Sequence, residues 1–190
     1  TPGRPAEGPV PRRFTGRARA FVKVQDGCDL GCTYCIVPRL RGPPRDRPLS
    51  EITAEVERYA RAGHAEVVLS GVSIGLWGRQ ERGELADVVA AAARVPGVRR
   101  LRLSSLHPAE LTDRLLDTMR SFAHVAPHVH LPLQSGSDAV LRRMRRRYTV
   151  QEFVEAVRRV REALDEPAIT TDVIAGFPGE TEADFEATVA

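Results

Sequence analysis

Short apolar, β-branched runs alternate along the chain with longer segments in which apolar residues recur every three or four positions. The short runs predict five strands, over residues 21–24, 67–69, 98–104, 128–133 and 169–175. The longer segments predict helices over residues 50–63, 84–94, 108–122, 138–147 and 149–164, with a last helix starting at Thr181. The Pro- and Gly-rich residues 38–48 predict an irregular loop.

Helix start signals refine two of these elements. Ser50 is predicted to cap the first helix, which ends at Gly63. Thr149 and Glu152 form a T-x-x-E capping box for the longest helix.

Alternation of strands and helices at this spacing predicts right-handed βαβ units and a parallel sheet, and therefore an α/β fold class. Five β/α units with unusual residues on the loops after the strands favour a partial parallel barrel. A doubly wound open sheet is the alternative, but no G-x-G-x-x-G follows the first strand.

Composition adds the domain organisation. With 42% hydrophobic and 28% charged residues, the 190-residue chain predicts a globular protein with one core. Residues 1–17, rich in Pro, Gly and Arg, are predicted to be a linker or arm, and residues 18–190 a single domain. No apolar run or signal peptide predicts a membrane segment, and unpaired cysteines indicate a reducing compartment such as the cytoplasm.

The three cysteines of the chain, Cys28, Cys32 and Cys35, lie on one short segment as C-x3-C-x2-C. Three thiols this close cannot all pair as disulfides, and clustered thiolates select zinc or iron–sulfur centres. Zinc needs a fourth ligand, and neither cysteine nor histidine occurs between Cys35 and His64. A four-iron cluster tolerates three protein ligands and leaves one iron open. A structural zinc site completed by a distant histidine, such as His107 or His130, is the alternative.

The cysteine spacing, with Tyr34 before the third cysteine, resembles the cluster loop of the radical S-adenosylmethionine (SAM) enzymes. That resemblance implies a [4Fe–4S] cluster on the three cysteines, with SAM bound to the fourth iron and cleaved to a 5′-deoxyadenosyl radical. It also implies a partial (β/α)6 barrel, of which this chain would supply about five units and end before the sixth strand.

The same resemblance assigns SAM contacts to residues that follow each predicted strand. It implies contacts from Tyr34, Gly71, Ser104, Ser105, Gln134, Ser135, Arg146, Ile174 and Gly176. The last of these motifs departs from the family pattern, because Asp172 replaces a glycine and Glu180 falls one position late.

A narrower resemblance, to the methylthiotransferases, covers nearly all of residues 17–190. It rests on Val22–Lys23–Val24–Gln25–Asp26–Gly27 before the first cysteine, on residues 130–138 (HLPLQSGSD) and on residues 171–181 (TDVIAGFPGET). These enzymes add sulfur and then a methyl group, mostly to adenosine 37 of tRNA. The sequence looks most like the branch that modifies N6-threonylcarbamoyladenosine. The isopentenyladenosine branch, a ribosomal-protein branch and other radical SAM enzymes are the alternatives, as is a non-catalytic, metal-stabilised domain.

The methylthiotransferase resemblance also implies partners and missing parts. Family members carry a second [4Fe–4S] cluster in an upstream domain and an RNA-binding barrel downstream, and both are expected to be absent from this chain. Expected partners are tRNA, bound weakly by this fragment, and a reductant such as flavodoxin or ferredoxin; a monomer is expected. The basic segment 142–147 is predicted to contact RNA phosphates or to form a solvated helix face.

Overall fold

The computed structural model of this chain describes residues 16–79 and 83–190. The predicted arm, residues 1–17, lies outside the described residues except for its last two. The strands are β1 (Arg19–Asp26), β2 (Arg45–Asp46), β3 (Glu66–Gly71), β4 (Leu101–Leu103), β5 (His128–His130) and β6 (Ala168–Thr170). The α-helices are α1 (Val37–Arg41), α2 (Leu49–Arg61), α3 (Leu85–Ala93), α4 (Asp113–Arg120), α5 (Asp138–Arg143), α6 (Val150–Ala163) and α7 (Glu182–Val189).

Five of the strands run parallel, as the alternating pattern predicts. β3 pairs in parallel with β1 on one side and with β4 on the other, and β5 pairs in parallel with β6. A parallel bridge between Ser105 and His130 joins the two groups of strands, so the sheet continues as one arc. The short strand β2 adds antiparallel to β1 at the outer edge. This arrangement is the predicted α/β fold with a largely parallel sheet.

The core lies between this sheet and the helices that follow each strand. On α2, Ile52, Val56 and Tyr59 recur at helical spacing and are fully buried. Alternate residues of β1, among them Val22 and Val24, are buried on the same side. The helix layer therefore covers one face of the sheet and leaves the carboxyl ends of the strands for the loops.

Helix starts agree with the capping signals at two positions and disagree at one. Thr149 with Glu152 caps α6, and Thr181 caps α7. Ser50 does not cap α2. The helix begins at Leu49, so Ser50 lies inside its first turn and Pro48 occupies the N-cap position. Within residues 16–79 and 83–190, no helix is both long and apolar enough to cross a membrane.

Two predicted segments are divided differently in the structure. Residues 38–48 are not an irregular loop, since α1 and β2 form there. The predicted helix over residues 108–122 is a one-turn 3-10 helix (Pro108–Glu110) followed by α4. The Thr112 hydroxyl accepts from the Leu115 amide at 3.1 Å and starts a second helix, which explains the break.

Candidate active site

The loop with the three cysteines leaves β1 through a tightly packed turn. Gly27 has φ +77°, and a Cβ atom there would lie 2.1 Å from the carbonyl oxygen of Pro43. The Asp26 carboxylate accepts from the Gly27 amide at 2.9 Å, and the Cys28 amide donates to the Gly42 carbonyl at 3.0 Å. These contacts set the position of the first cysteine.

The far side of the loop is held by the carboxyl end of α5. The Thr33 amide donates to the Met144 carbonyl, and its hydroxyl donates to the Arg143 carbonyl, each at 3.1 Å. Helix ends leave such carbonyls without helical partners, so Thr33 supplies the missing donors. Arg145 adopts a left-handed conformation, φ 56°, and ends the helix there.

All three cysteines are free and partly buried. The Cys28 sulfur accepts from the Leu30 amide at 3.4 Å. Burial, together with the nearby Cys32, Asp29 and Cys35, raises the pKa of the Cys28 thiol, whereas the Leu30 amide opposes the shift. The Cys28 thiol is therefore less acidic than a free thiol, and a bound metal centre would stabilise its thiolate form.

The number of thiols suits a cluster better than a single ion. A tetrahedral structural zinc site needs four protein ligands, whereas a four-iron cluster can be held by three cysteines. Among the described residues, no three Cys, His, Asp or Glu side chains converge as ligands of one metal ion. The two distant histidines are engaged elsewhere, His107 at the Ala109 amide and His130 at the Thr170 hydroxyl.

Two aromatic rings from opposite ends of the strand arc meet beside the cysteine loop. Tyr34 and Phe177 pack edge to face with ring centroids 6.3 Å apart. Burial raises the pKa of Tyr34 to about 12, so its hydroxyl stays protonated at neutral pH. Ile174 is half-buried, and Gly176 has φ +75° with open space beside its Cα atom. The structure therefore pairs Tyr34 with Phe177, an aromatic residue of the same segment as Ile174 and Gly176, to which the resemblance assigns SAM contacts.

Gly71 after β3 and the two serines after β4, Ser104 and Ser105, differ in how they could contact a ligand. A Cβ atom on Gly71 would lie 2.6 Å from the carbonyl oxygen of Gln25, so packing against β1 requires the glycine there. The Ser104 hydroxyl oxygen is buried without a hydrogen-bond partner among the described residues. Ser105 is exposed. An unsatisfied buried hydroxyl at this edge of the sheet fits a polar ligand.

The loop after β5 places Gln134 and Ser135 in different environments. Gln134 has φ 67°, which is strained for a residue with a side chain. Ser135 is fully buried, and its hydroxyl accepts from the Ser137 amide at 3.1 Å and lies 3.3 Å from the Thr188 hydroxyl. The Ser135 side chain is thus engaged inside the protein, and of this pair Gln134 is the residue whose side chain stays a predicted ligand contact.

Arg146 differs from the arginines around it. Arg142, Arg143, Arg145 and Arg147 are exposed, whereas Arg146 is partly buried. Its Nη1 lies 3.5 Å from the sulfur of Cys32. The structure thus brings Arg146 to the cysteine loop and leaves the other four on the surface, where the predicted solvated or RNA-facing role remains open to them.

Sequence reasoning missed three buried polar residues behind the site. Gln25 is fully buried and donates to the carbonyls of Asp26 and Gly27. Its Oε1 accepts from the Ser73 amide, and the Ser73 hydroxyl donates to Glu110. Desolvation raises the pKa of Glu110, while the His107 amide and the Ser73 hydroxyl oppose the shift. Strand alternation could not reveal Gln25, because the pairing of β1 with β3 shifts between Lys23 and Gln25.

Comparison with known proteins extends this picture. The sequence profile of the radical SAM superfamily matches residues 22–190. A tRNA-2-methylthio-N(6)-dimethylallyladenosine synthase of Parafrankia sp. (strain EAN1pec) is 46% identical over 182 residues, which are 95% of this chain and 37% of that protein. The threonylcarbamoyladenosine tRNA methylthiotransferase MtaB of Chlamydia pneumoniae is 43% identical over 176 residues, covering 93% of this chain and 42% of that protein. The chain thus spans about two fifths of the length of these relatives.

Solved structures share the fold at low sequence identity. The radical SAM methyltransferase TsrM from Kitasatospora setae superposes with a TM-score of 0.73 at 18% identity, over 90% of this chain and 33% of that one. The cobalamin-dependent SAM radical enzyme OxsB gives a TM-score of 0.71 at 14% identity, over 89% and 25% of the two chains. Because the superfamily profile covers nearly the whole strand–helix arc and all three cysteines, this chain belongs to the radical SAM superfamily.

Proposed function

We propose that residues 18–190 form the radical-generating core of a tRNA methylthiotransferase. The observation that carries the proposal is the loop with Cys28, Cys32 and Cys35, whose three free thiols follow the carboxyl end of β1. The identity of 43–46% to two kinds of tRNA methylthiotransferase supports the transferase class. Since the chain spans about two fifths of those relatives, complete methylthiolation is proposed for the longer protein.

The residues present fit a [4Fe–4S] cluster and SAM. The three cysteines are the proposed cluster ligands, and the buried, unsatisfied Ser104 hydroxyl is a proposed SAM contact. When bound, the cluster supplies an electron for reductive cleavage of SAM. A second cluster is proposed for the upstream part of the longer protein, since all three cysteines of this chain are already assigned.

The protein's own groups bind, orient and shield SAM in this proposal. Gln134, held at φ 67° after β5, presents its amide to the polar end of the ligand. The edge-to-face pair of Tyr34 and Phe177 is a proposed apolar contact for SAM, together with Ile174. The hydrogen bond from the Thr33 hydroxyl to the Arg143 carbonyl attaches the cysteine loop to the carboxyl end of α5 and fixes its position relative to the other strand ends.

The proposed substrate is an N6-modified adenosine of tRNA. Threonylcarbamoyladenosine is the first candidate, on the sequence motifs, and dimethylallyladenosine is the second, on the identity to the Parafrankia protein. The Arg47 guanidinium does not distinguish the two candidates. Arg47 donates to Glu55 at 2.6 Å and to the Lys23 carbonyl at 2.7 Å, so its guanidinium serves the fold.

Partners and location follow from this proposal. The core takes electrons from a reductant of the flavodoxin or ferredoxin kind and acts as a monomer in the cytoplasm. The exposed arginines of segment 142–147 provide the RNA contact of this core. The contact is weak because it involves few phosphates, and it is sensitive to salt because it is electrostatic.

Iron content tests the core assignment. After anaerobic reconstitution with iron and sulfide, the chain is expected to bind about four irons and to show broad iron–sulfur absorbance. Cys32→Ala is expected to abolish that absorbance, while the exposed Ser50→Ala, as a control, leaves it unchanged. Stoichiometric zinc with no iron uptake would refute the proposal.

Nucleoside analysis tests the substrate. The full-length protein is expressed in a host whose own tRNA methylthiotransferases have been deleted, and the tRNA nucleosides are measured by mass spectrometry. A methylthio group on threonylcarbamoyladenosine confirms the first candidate, and one on dimethylallyladenosine confirms the second. If the protein cleaves SAM but the tRNA adenosines stay unmodified, the substrate is not tRNA.

A further inference from the structure

Arg146 reaches the cysteine loop because of how α5 ends. The left-handed Arg145 turns the chain, and the Arg146 amide then donates to the Leu141 carbonyl at 2.9 Å. This turn directs the Arg146 side chain away from the exposed side of α5 and toward Cys32. Thr33, next to Cys32, is bound to the same helix end. The guanidinium and the sulfur are thus held by one local unit.

Tyr148 fixes the orientation of the Arg146 guanidinium. The Nε–H of Arg146 donates to the Tyr148 hydroxyl at 3.1 Å, and the guanidinium carbon lies 4.8 Å from the centre of the Tyr148 ring. The Tyr148 hydroxyl is anchored in turn, 2.7 Å from the Pro132 carbonyl and 2.8 Å from the Leu133 carbonyl. The ring is buried and packs edge to face on His107 at 4.8 Å. With Nε engaged in this way, Nη1 is left to face Cys32 at 3.5 Å.

Within the described part of the chain, the Arg146 guanidinium donates to Tyr148 and Cys32 and to no carboxylate. The side chains that act on it are those of Tyr148, Cys32 and Tyr34, with His107 on the far side of the Tyr148 ring. The anion that faces Arg146 is therefore the Cys32 thiolate once this sulfur is a metal ligand. The other sulfur with a donor, Cys28, receives only the neutral Leu30 amide. Cys32 is thus distinguished by a charged donor.

We propose that Arg146 tunes the reduction potential of the cluster by donating a charged hydrogen bond to the Cys32 thiolate, and that Tyr148 positions it. The proposal rests on the cluster assignment above and adds a role for Arg146 different from contact with SAM. Hydrogen bonds and cations at ligand sulfurs stabilise the more negative, reduced state of a cluster. An electron accepted by the cluster adds one negative charge, which a fixed guanidinium beside Cys32 offsets. The protein thereby makes its cluster easier to reduce.

Redox titration of the reconstituted chain without SAM, monitored by electron paramagnetic resonance, tests the role of Arg146. Arg146→Gln is expected to lower the ratio of reduced to oxidised cluster at a given potential about tenfold, a shift of about 59 mV for a one-electron couple. Arg146→Lys keeps the charge but lacks the second donor, and less than half of that shift is expected. Arg142→Gln, an exposed arginine of the same segment, is the matched control and should leave the potential unchanged.

Tyr148→Phe tests the positioning role and serves as a second route if Arg146→Gln fails to assemble a cluster. It is expected to shift the potential in the same direction by a smaller amount. The double variant should match Arg146→Gln alone, because Tyr148 acts through Arg146.

An unchanged reduction potential in Arg146→Gln would overturn the inference. If Arg146→Gln holds no iron, unchanged potentials in both Arg146→Lys and Tyr148→Phe would overturn it. So would a loss of SAM affinity in Arg146→Gln with no change in potential, which would make Arg146 a SAM contact only. Failure of the unaltered chain to bind iron would instead refute the proposed function.

Discussion

The side-chain amide of Gln25 links the two loops that approach the candidate site from β1 and β3. Its Oε1 accepts from the Ser73 amide at 2.9 Å, while its Nε2 donates to the Gly27 carbonyl at 2.8 Å, one residue before the first cysteine. Gln25 is completely buried, so water cannot replace either bond. The cysteine loop and the loop after Gly71 therefore keep a constant spacing.

Gln25→Leu is expected to lower the free energy of unfolding by about 2–4 kcal/mol, because it leaves a buried amide and two buried carbonyls without partners. Urea unfolding measures the change. Gln151→Leu, at an exposed position of α6, is the matched control and should shift stability by less than about 0.5 kcal/mol. A Gln25→Leu chain as stable as the control would mean that the loops are held by other contacts.

Gly71→Ala is expected to impair iron binding and folding together. The resemblance implies that Gly71 contacts SAM, but a new Cβ atom at this position would meet the Gln25 carbonyl oxygen at 2.6 Å. The pairing of β1 with β3 must then shift, and the cysteine loop shifts with β1. Iron content and thermal unfolding measure both effects. Gly83→Ala is the milder control, since its Cβ atom would meet the edge of the Trp77 ring at 3.1 Å and would lie 3.6 Å from the nearest backbone atom, an ordinary contact distance. Normal iron content with weakened SAM binding would instead support the SAM contact that the resemblance assigns to Gly71.

The folded protein should become less stable as the pH falls from about 6.5 to about 4, because of His107. Burial, with Arg146 and Arg147 adding repulsion and Glu152 opposing them, lowers the pKa of His107 from 6.5 to about 4. The unfolded chain therefore binds this proton more readily than the folded one between these values. The stabilising contribution of neutral His107 is complete above about pH 6.5 and is lost as the pH falls toward 4.

His107→Asn tests this pH dependence, because asparagine retains an acceptor for the Ala109 amide and does not titrate. The difference in unfolding free energy between the two proteins should shrink or reverse as the pH falls from 6.5 to 4. Taking the difference cancels the titration of the groups that both proteins share. Parallel stability curves would show that His107 is protonated equally in both states.

Arg47→Ala is expected to destabilise the fold by about 3 kcal/mol. The Glu55 carboxylate that pairs with Arg47 is buried, and removal of the arginine leaves it without its main partner. Arg45→Ala, at an exposed position two residues away, is the matched control. Urea unfolding of both variants measures the effect. An Arg47→Ala protein as stable as the Arg45→Ala control would show that Glu55 is held by other contacts.

Several features were readable from the sequence because their causes are local. The C-x3-C-x2-C spacing places three thiols on one loop whatever the rest of the chain does. Strand–helix alternation predicts the parallel sheet, and Thr149 with Glu152 predicts a helix start, because each of these depends on neighbours within a few residues.

Other features depended on residues that are distant in the chain. Arg146 is one of five arginines within a six-residue stretch, and only the left-handed turn at Arg145 selects it to face Cys32. Gln25 and Ser73 meet because the register of β1 against β3 shifts at that point. Hydrogen-bond capacity is a property of each residue, but the choice of partner is made when the strands align and the helices end. The sequence by itself therefore determined the loop with the three cysteines and the order of the elements, and the tertiary structure decided which polar groups surround that loop.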